Sequence, residues 1–196
     1  MKLYYAKGAC SLADHIALVE AGSSYDLVSV DLKAKKTEDG RDYATINPKG
    51  YVPALELDDG TVLTENLVCL SYIADQSGRL MPGDGLPHWR VLETTAFITT
   101  EIHKNFKPFF NPAASDAEKD EAKVVLQKRF GTIADQLHDR EFVVGDAISV
   151  ADCYLFVMLM WARKNGLELP PALDSYFDRL RQRPAVTQAL REEGLE

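Results

Sequence analysis

The feature that most constrains the fold of this chain is a change in its hydrophobic pattern near residue 81. Before that point, short stretches typical of strands are interleaved with two helical periods, and after it only helical periods occur. The strands are predicted at 2–6, 27–31, 52–57 and 61–63, and the helices at 11–21 and 65–76. This β-α-β, connection, β-β-α order predicts an α/β domain followed by an all-helical domain.

Residues 81–87 form the best candidate for a domain linker, because prolines and glycines interrupt the pattern there. We therefore predict domains at 1–80 and 87–196. In the second domain, helices are predicted at 88–106, from 115, from 149, at 172–182 and at 185–192. The helix from 149 opens with Ser149 and Asp152, a pair that resembles a capping box.

The composition narrows the class of protein. A net charge of −8 argues against nucleic acid as a partner, because phosphate binding needs a basic surface. No stretch approaches the ~20 apolar residues of a membrane-spanning helix, and the first residues lack the apolar core and cleavage site of a secretory signal. The three cysteines are widely spaced and fit no zinc-ligand pattern. We therefore predict a cytoplasmic protein without a metal or disulfides, with Cys69 and Cys153 packed in helices.

Cys10 is the most informative residue for function, because it lies between the first strand and the first helix. Unpaired N–H groups and the positive end of the helix dipole favour thiolate over thiol at such a position, so we expect a lowered pKa. Ala13 stands where a CxxC motif would have its second cysteine, so any redox or transfer chemistry needs an external thiol. We expect Ser11 to cap the helix, and His15 to be a surface or packing residue.

Two further features point to a binding site near Cys10. Pro53 opens the third strand and is a candidate for a cis peptide bond, although only ~5% of X–Pro bonds in folded proteins are cis. A cis bond would leave the backbone groups of Val52 available to an extended peptide. Glu65 and Asn66 begin the next helix, where free N–H groups can hold a carboxylate.

Together these features resemble the cytosolic glutathione transferases, and most closely the bacterial beta class. The stretches that carry the resemblance are 1–5 (MKLYY), 8–12 (GACSL), 30–33 (VDLK), 42–43 (DY), 47–50 (NPKG), 52–55 (VPAL), 63–65 (LTE), 100–104 (TEIHK), 149–156 (SVADCYLF), 183–186 (RPAV) and 193–195 (EGL). The resemblance spans the whole chain. It implies a thioredoxin-like N-terminal domain, an all-helical C-terminal domain that lines a hydrophobic pocket, and a homodimer.

The resemblance also implies a glutathione-binding site. Its residues would be Cys10, Lys35, Val52, Pro53, Glu65, Asn66, Thr100, Glu101, Ile102 and His103. Cys10 looks like the cysteine that touches the glutathione sulfur, and Lys35 is similar to the lysine that meets the glycyl carboxylate. Val52 would pair with the cysteinyl backbone, with Pro53 as the cis-proline.

The remaining implied roles concern the two ends of the ligand. Glu65 and Asn66 look like the γ-glutamyl contacts, although the family often has a small residue where Asn66 stands. The stretch from Thr100 to His103 resembles the segment near the sulfur and the subunit interface, with His103 as an acid, base or thiol-polarising group. Many relatives have an asparagine where this chain has Ala96, so one side-chain contact is expected to be missing.

The resemblance implies an enzyme that conjugates glutathione, its co-substrate, to small hydrophobic electrophiles in detoxification, with Cys10 and His103 as catalytic residues. Thiol-disulfide exchange through Cys10 is expected beside it. The alternatives are a dedicated thioltransferase, a reductive dehalogenase, or a ligand-binding protein without turnover. Trp161 either lines the electrophile pocket or belongs to the core.

Overall fold

The computed structural model describes residues 1–195, which form two compact units. The first contains Met1–Gly83 together with the described C-terminal residues from Arg183, and the second is Asp84–Gln182. The described C-terminal residues from Arg183 thus belong to the first unit. The assignment of ligand binding to a domain at 1–80 and of the hydrophobic pocket to a domain at 87–196 stays a prediction. Within the described residues, no helix is both long enough and apolar enough to cross a membrane.

A five-stranded mixed sheet organises the first unit. Its strands are β1 (Lys2–Tyr5), β2 (Asp26–Asp31), β3 (Lys36–Thr37), β4 (Ala54–Glu56) and β5 (Val62–Thr64). They lie in the order β3-β2-β1-β4-β5, with β1 and β2 parallel and the other pairs antiparallel. The sequence did not predict β3, because two residues are too few to show a period. The other four strands are present as predicted, which confirms the thioredoxin-like arrangement.

Apart from α4, which the sequence did not predict, and the interrupted helix predicted at 88–106, the helices of the two units follow the predicted periods. Their bounds are α1 (Leu12–Ala21), α2 (Asn66–Ser77), α3 (Gly85–Phe97), α4 (Lys107–Phe110), α5 (Asp116–Leu137), α6 (Val150–Lys164), α7 (Pro171–Arg181) and α8 (Pro184–Glu192). In the first unit, α1 packs against both α2 and α8. Leu3 and Tyr4 are both fully buried, although successive side chains of a strand point to opposite faces, so both faces of the sheet are covered.

A buried histidine ties the end of the chain to the turn that precedes Cys10. The Nδ1 atom of His15 lies 3.1 Å from Glu193 Oε1, and its Nε2 atom lies 2.8 Å from Glu192 Oε2. Glu193 also accepts a hydrogen bond from the Gly8 backbone N–H at 2.9 Å. His15 is fully buried, so the prediction of a surface or packing residue missed its contacts with the two glutamates. Its partners lie too far along the chain for a local pattern to reveal them.

The predicted helix at 88–106 is interrupted in the structure. Regular α3 ends at Phe97, and the chain continues as a π-helical segment, Ile98–Ile102, and a 3₁₀ segment, His103–Phe106. The hydroxyls of Thr95, Thr99 and Thr100 each donate to the carbonyl four residues earlier. Such bonds compete with backbone donors and bend helices, which accounts for the change of winding.

The capping box predicted for α6 is confirmed. Asp152 accepts hydrogen bonds from the Ser149 backbone N–H at 2.7 Å and from its hydroxyl at 2.6 Å. It also accepts from the Val143 N–H at 2.8 Å and the Tyr176 hydroxyl at 2.6 Å. Because all four donors and the carboxylate are buried, this one side chain fixes the start of α6 against two other segments of its unit.

The buried contact between His15 and Glu193 gives a testable stability prediction. Replacing Glu193→Gln keeps the shape of the side chain but removes the charge that faces the buried imidazole and the Gly8 N–H. We expect the free energy of unfolding, measured by urea titration, to fall by about 2 kcal/mol. Glu168→Gln, at an exposed position in the other unit, serves as the matched control. Equal stability of both variants would show that the contact does not hold the C-terminal segment.

Candidate functional site

Three segments of the first unit meet at Cys10. The Cys10 thiol donates a hydrogen bond to the Val52 carbonyl, with 3.3 Å between Sγ and oxygen. The Asn66 side-chain amide donates to the Cys10 carbonyl at 2.9 Å. The Val52–Pro53 peptide bond is cis. The turn after β1, the turn before β4 and the start of α2 therefore converge on one cysteine, as the sequence predicted for the site.

The state of the Cys10 thiol differs from the expectation. Its side chain is buried, with 8% of the residue exposed. Burial raises the pKa of the Cys10 thiol to about 12, and the nearby Asp14 carboxyl raises it further, while the N–H groups of Cys10 and Ser11 lower it less. The predicted lowered pKa is therefore wrong. The helix opening does supply N–H donors, but the loss of solvent outweighs them.

Asp14 on α1 explains part of this difference, and Ser11, which precedes α1, also departs from its predicted role. Asp14 is fully buried, and neither of its carboxyl oxygens has a hydrogen-bond partner among the described residues. Burial raises the pKa of Asp14 well above its usual range. The Ser11 hydroxyl accepts a hydrogen bond from the Ala6 N–H at 3.2 Å and makes no capping bond to α1, so the predicted cap is wrong.

Lys35 lies on an exposed turn and reaches across to the neighbouring one. Its Nζ atom donates to the Gly50 carbonyl at 2.5 Å. Gly50 has a φ of +73°, and a Cβ atom at this position would lie 3.3 Å from Lys35 Nζ. Glycine therefore suits both the left-handed backbone and the close approach of the lysine. This places a cation beside the turn that carries Val52.

Glu65 is surrounded by groups that the sequence reasoning did not assign. Its Oε1 atom lies 2.5 Å from Lys49 Nζ and accepts a hydrogen bond from the Tyr51 hydroxyl at 2.7 Å. Lys49 also donates to the Thr64 hydroxyl at 2.9 Å. The hydrogen bond to Glu65 raises the pKa of Lys49. Because these partners are 14 and 16 residues from Glu65 in the chain, no local motif could have paired them.

The segment Thr100–His103 lies in the second unit. The Thr100 hydroxyl is exposed and donates to the Ala96 carbonyl at 3.1 Å. Glu101 forms a salt bridge with Arg129 of α5, with 2.6 Å between the charged atoms. Ile102 is fully buried. Thr100 is therefore exposed, whereas Glu101 and Ile102 fix the segment to its unit.

His103 is held inside an aromatic cluster. Its Nδ1 atom is hydrogen-bonded to the Tyr154 hydroxyl at 2.5 Å, and its ring meets the edge of Trp161 with centroids 5.1 Å apart. Trp161 is buried and packs edge-on against Phe106 and Phe110. Burial lowers the pKa of His103 to about 4. The imidazole is therefore neutral near pH 7 and offers one N–H donor and one acceptor instead of a charge.

The groups gathered in the first unit suit a small charged peptide better than a metal. They comprise a thiol, two lysines, a carboxylate and the first N–H groups of α2, which match carboxylates and an amine. Among the described residues, no group of histidine, cysteine, aspartate or glutamate side chains is arranged to hold a metal ion. Cys69 and Cys153 are buried in α2 and α6, as predicted.

The fold and this arrangement define a thioredoxin-like protein with a thiol-centred site and an added helical unit. Residues 1–75 match the family model for the glutathione S-transferase N-terminal domain, and residues 97–184 match that for the C-terminal domain. The glutathione S-transferase GstA of Escherichia coli O157:H7 is 42% identical over 200 residues, with both chains fully covered. This chain belongs to the glutathione S-transferase family.

Solved structures agree with the class that the sequence resembles. A sphingomonad glutathione S-transferase complexed with glutathione matches with a TM-score of 0.94 and 47% identity over the whole of both chains. A bacterial beta-class glutathione S-transferase from Sphingomonas chungbukensis matches with a TM-score of 0.95 and 46% identity, again over both chains in full. The resemblance to the bacterial beta class is thus confirmed.

The raised pKa of Cys10 leads to a labelling prediction. Because a pKa of about 12 lies well above neutral pH, the thiolate is scarce at pH 7 and its population rises about tenfold per pH unit. We expect iodoacetamide to alkylate Cys10 slowly in the folded protein between pH 6 and 9, as measured by peptide mass spectrometry. The urea-unfolded chain provides the control, in which Cys10 should react at the ordinary rate. Complete labelling of folded protein within minutes at pH 7 would contradict the raised pKa.

Proposed function

We propose that this protein conjugates glutathione, as its co-substrate, to small hydrophobic electrophiles. The observation that supports this most strongly is the convergence of Cys10, the cis Val52–Pro53 bond and the start of α2. An extended tripeptide with two carboxylates, an amine and a thiol needs backbone partners, cations and a carboxylate around a central sulfur contact. The first unit supplies each of these groups.

In the proposed reaction, the glutathione thiol loses its proton to water and the sulfur lone pair forms a carbon–sulfur bond to the electrophile, whose leaving group departs with the bonding electrons. A neutral Cys10 thiol can turn from the Val52 carbonyl to the glutathione sulfur and donate a hydrogen bond to the developing thiolate. This role needs a protonated cysteine, which the raised pKa provides. Cys10 would then stabilise the nucleophile without itself becoming one.

The other site residues keep the roles that the resemblance implies. Lys35 would meet the glycyl carboxylate, Val52 the cysteinyl backbone, and Glu65 and Asn66 the γ-glutamyl end. The Asn66 side chain already bonds to the Cys10 carbonyl, so its backbone N–H is the group proposed for the ligand. These contacts orient the tripeptide and leave its sulfur beside Cys10.

We propose that His103 polarises the same sulfur through an N–H group. Its neutral imidazole makes it a hydrogen-bond donor and not a cation at physiological pH. Thr100 would provide a hydroxyl nearby, while Glu101 and Ile102 hold the segment through Arg129 and the core. The aromatic rings around His103 suit an apolar or aromatic electrophile.

Cellular context and assembly complete the proposal. We propose a cytoplasmic homodimer that acts in detoxification, as the family resemblance implies. Thiol-disulfide exchange through Cys10 stays a prediction, and the burial of the thiol weighs against a fast reaction of this kind. Reductive dehalogenation would use the same sulfur chemistry, and a non-catalytic binding protein would keep the site without turnover.

Two variants of Cys10 separate these functions. We expect Cys10→Ala to lower kcat/KM for conjugation of 1-chloro-2,4-dinitrobenzene about tenfold, because one hydrogen bond to the thiolate is lost. Cys10→Ser keeps a donor and should retain most of the activity. Both variants should lose glutathione-dependent reduction of a small disulfide if the wild type has it. Unchanged conjugation by Cys10→Ala would remove Cys10 from the mechanism, and a wild type inactive in both assays would favour the binding protein.

The neutral state of His103 predicts a particular pH profile. Because its pKa of about 4 lies below the assay range, the imidazole does not titrate between pH 6 and 8. We expect His103→Asn to lower kcat for conjugation about tenfold while the shape of the pH profile between pH 6 and 8 stays the same. His138→Asn, an exposed position, is the control. Loss of an ionisation near pH 6.5 in His103→Asn would show that the imidazole titrates in this range.

A further inference from the structure

We infer that Lys49 is a ligand-binding residue that recognises the α-carboxylate of the γ-glutamyl unit, as the partner of Glu65 in a site for the α-amino acid zwitterion. This inference rests on the proposed binding of glutathione. The roles implied by the family resemblance give the site one lysine, Lys35, although the ligand carries two carboxylates. Lys49 is the second cation that the structure places beside the implied residues.

The geometry of the ion pair carries the inference. Lys49 Nζ and Glu65 Oε1 are 2.5 Å apart, so a positive and a negative group stand side by side at the opening of α2. The amine and the α-carboxylate of a γ-glutamyl unit are attached to one carbon and are likewise adjacent. Such a zwitterion can dock head to tail on the protein pair, with its amine on Glu65 and its carboxylate on Lys49.

Both protein groups are accessible to a ligand. The side chains of Lys49 and Glu65 are each 47% exposed, so a ligand can reach them without opening the core. Their mutual contact is screened by water and contributes little to stability on its own. A ligand can therefore replace the contact between Lys49 and Glu65 with one contact to each side chain. Loss of the original contact lowers the free energy of unfolding only slightly.

Hydrogen bonds near Lys49 and Glu65 fix the position of this ion pair. The Lys49 N–H donates to the buried Asn47 side chain at 3.0 Å, and Asn47 in turn donates to the Tyr51 carbonyl at 2.6 Å. The Tyr51 hydroxyl holds Glu65 from the other side at 2.7 Å. Lys49 retains freedom only in its long side chain, which lets Nζ move from Glu65 to an incoming carboxylate.

The exchange also keeps the local charge balanced. Before binding, the carboxylate of Glu65 is neutralised by the ammonium group of Lys49. After binding, the ligand amine neutralises Glu65 and the ligand carboxylate neutralises Lys49, with the first N–H groups of α2 as additional donors. A tripeptide that lacks either group would leave one charge of the protein pair without its ligand partner, so the pair selects for an intact α-amino acid end.

The experiment compares two ligands on matched variants by isothermal titration calorimetry. The ligands are glutathione and 4-aminobutyryl-cysteinyl-glycine, which lacks only the α-carboxylate. The variants are Lys49→Met, Lys49→Arg, which keeps the charge, and the control Lys128→Met, an exposed lysine on α5. Thermal unfolding checks that all of them fold.

We expect Lys49→Met to bind glutathione about tenfold more weakly than the wild type and to bind the decarboxylated analogue at least as tightly as the wild type does, because the amine of the analogue no longer has to displace Lys49 from Glu65. Lys49→Arg and Lys128→Met should stay within about twofold of the wild type for both ligands. Equal weakening for both ligands, no weakening, or tighter binding of glutathione by Lys49→Met would overturn the role of Lys49 while leaving the proposed function intact. Failure of the wild type to bind glutathione would instead overturn both.

Discussion

The hydrogen bond from the Cys10 thiol to the Val52 carbonyl is the contact on which the rest of the site depends. It joins the turn after β1 to the turn before β4, and Asn66 fastens the start of α2 to the same cysteine. It also requires the sulfur to carry its proton. The same burial that assembles the site therefore keeps Cys10 in the thiol form, which suits a hydrogen-bond donor better than a nucleophile.

Local sequence signals were sufficient for much of the fold and for the centre of the site. The β-α-β-β-β-α order, the change to helices after residue 81 and the position of Cys10 before α1 each follow from patterns within a few residues. The cis bond before Pro53, a candidate from its position at a strand start and implied by the family resemblance, is also present. These features depend on backbone geometry and on short-range periodicity, which a single sequence displays directly.

The features of the site that the sequence did not reveal depend on groups far apart in the chain or on burial. The contact of His15 with Glu193 spans 178 residues, and that of Lys49 with Glu65 spans 16. The pKa of Cys10 was misjudged because a helix opening predicts stabilising N–H groups but says nothing about how much water is excluded. The lowered pKa of His103 has the same cause.

The tether between Glu193 and the turn at Gly8 has a consequence for the order in which the protein matures. The first unit contains residues from both ends of the chain, so its sheet can assemble early while α1 still lacks its α8 neighbour. Because domains fold as the chain emerges from the ribosome, the turn that carries Cys10 gains its last support only when the closing helix has been synthesised. A nascent chain would thus hold a complete helical unit before it holds a finished thiol site.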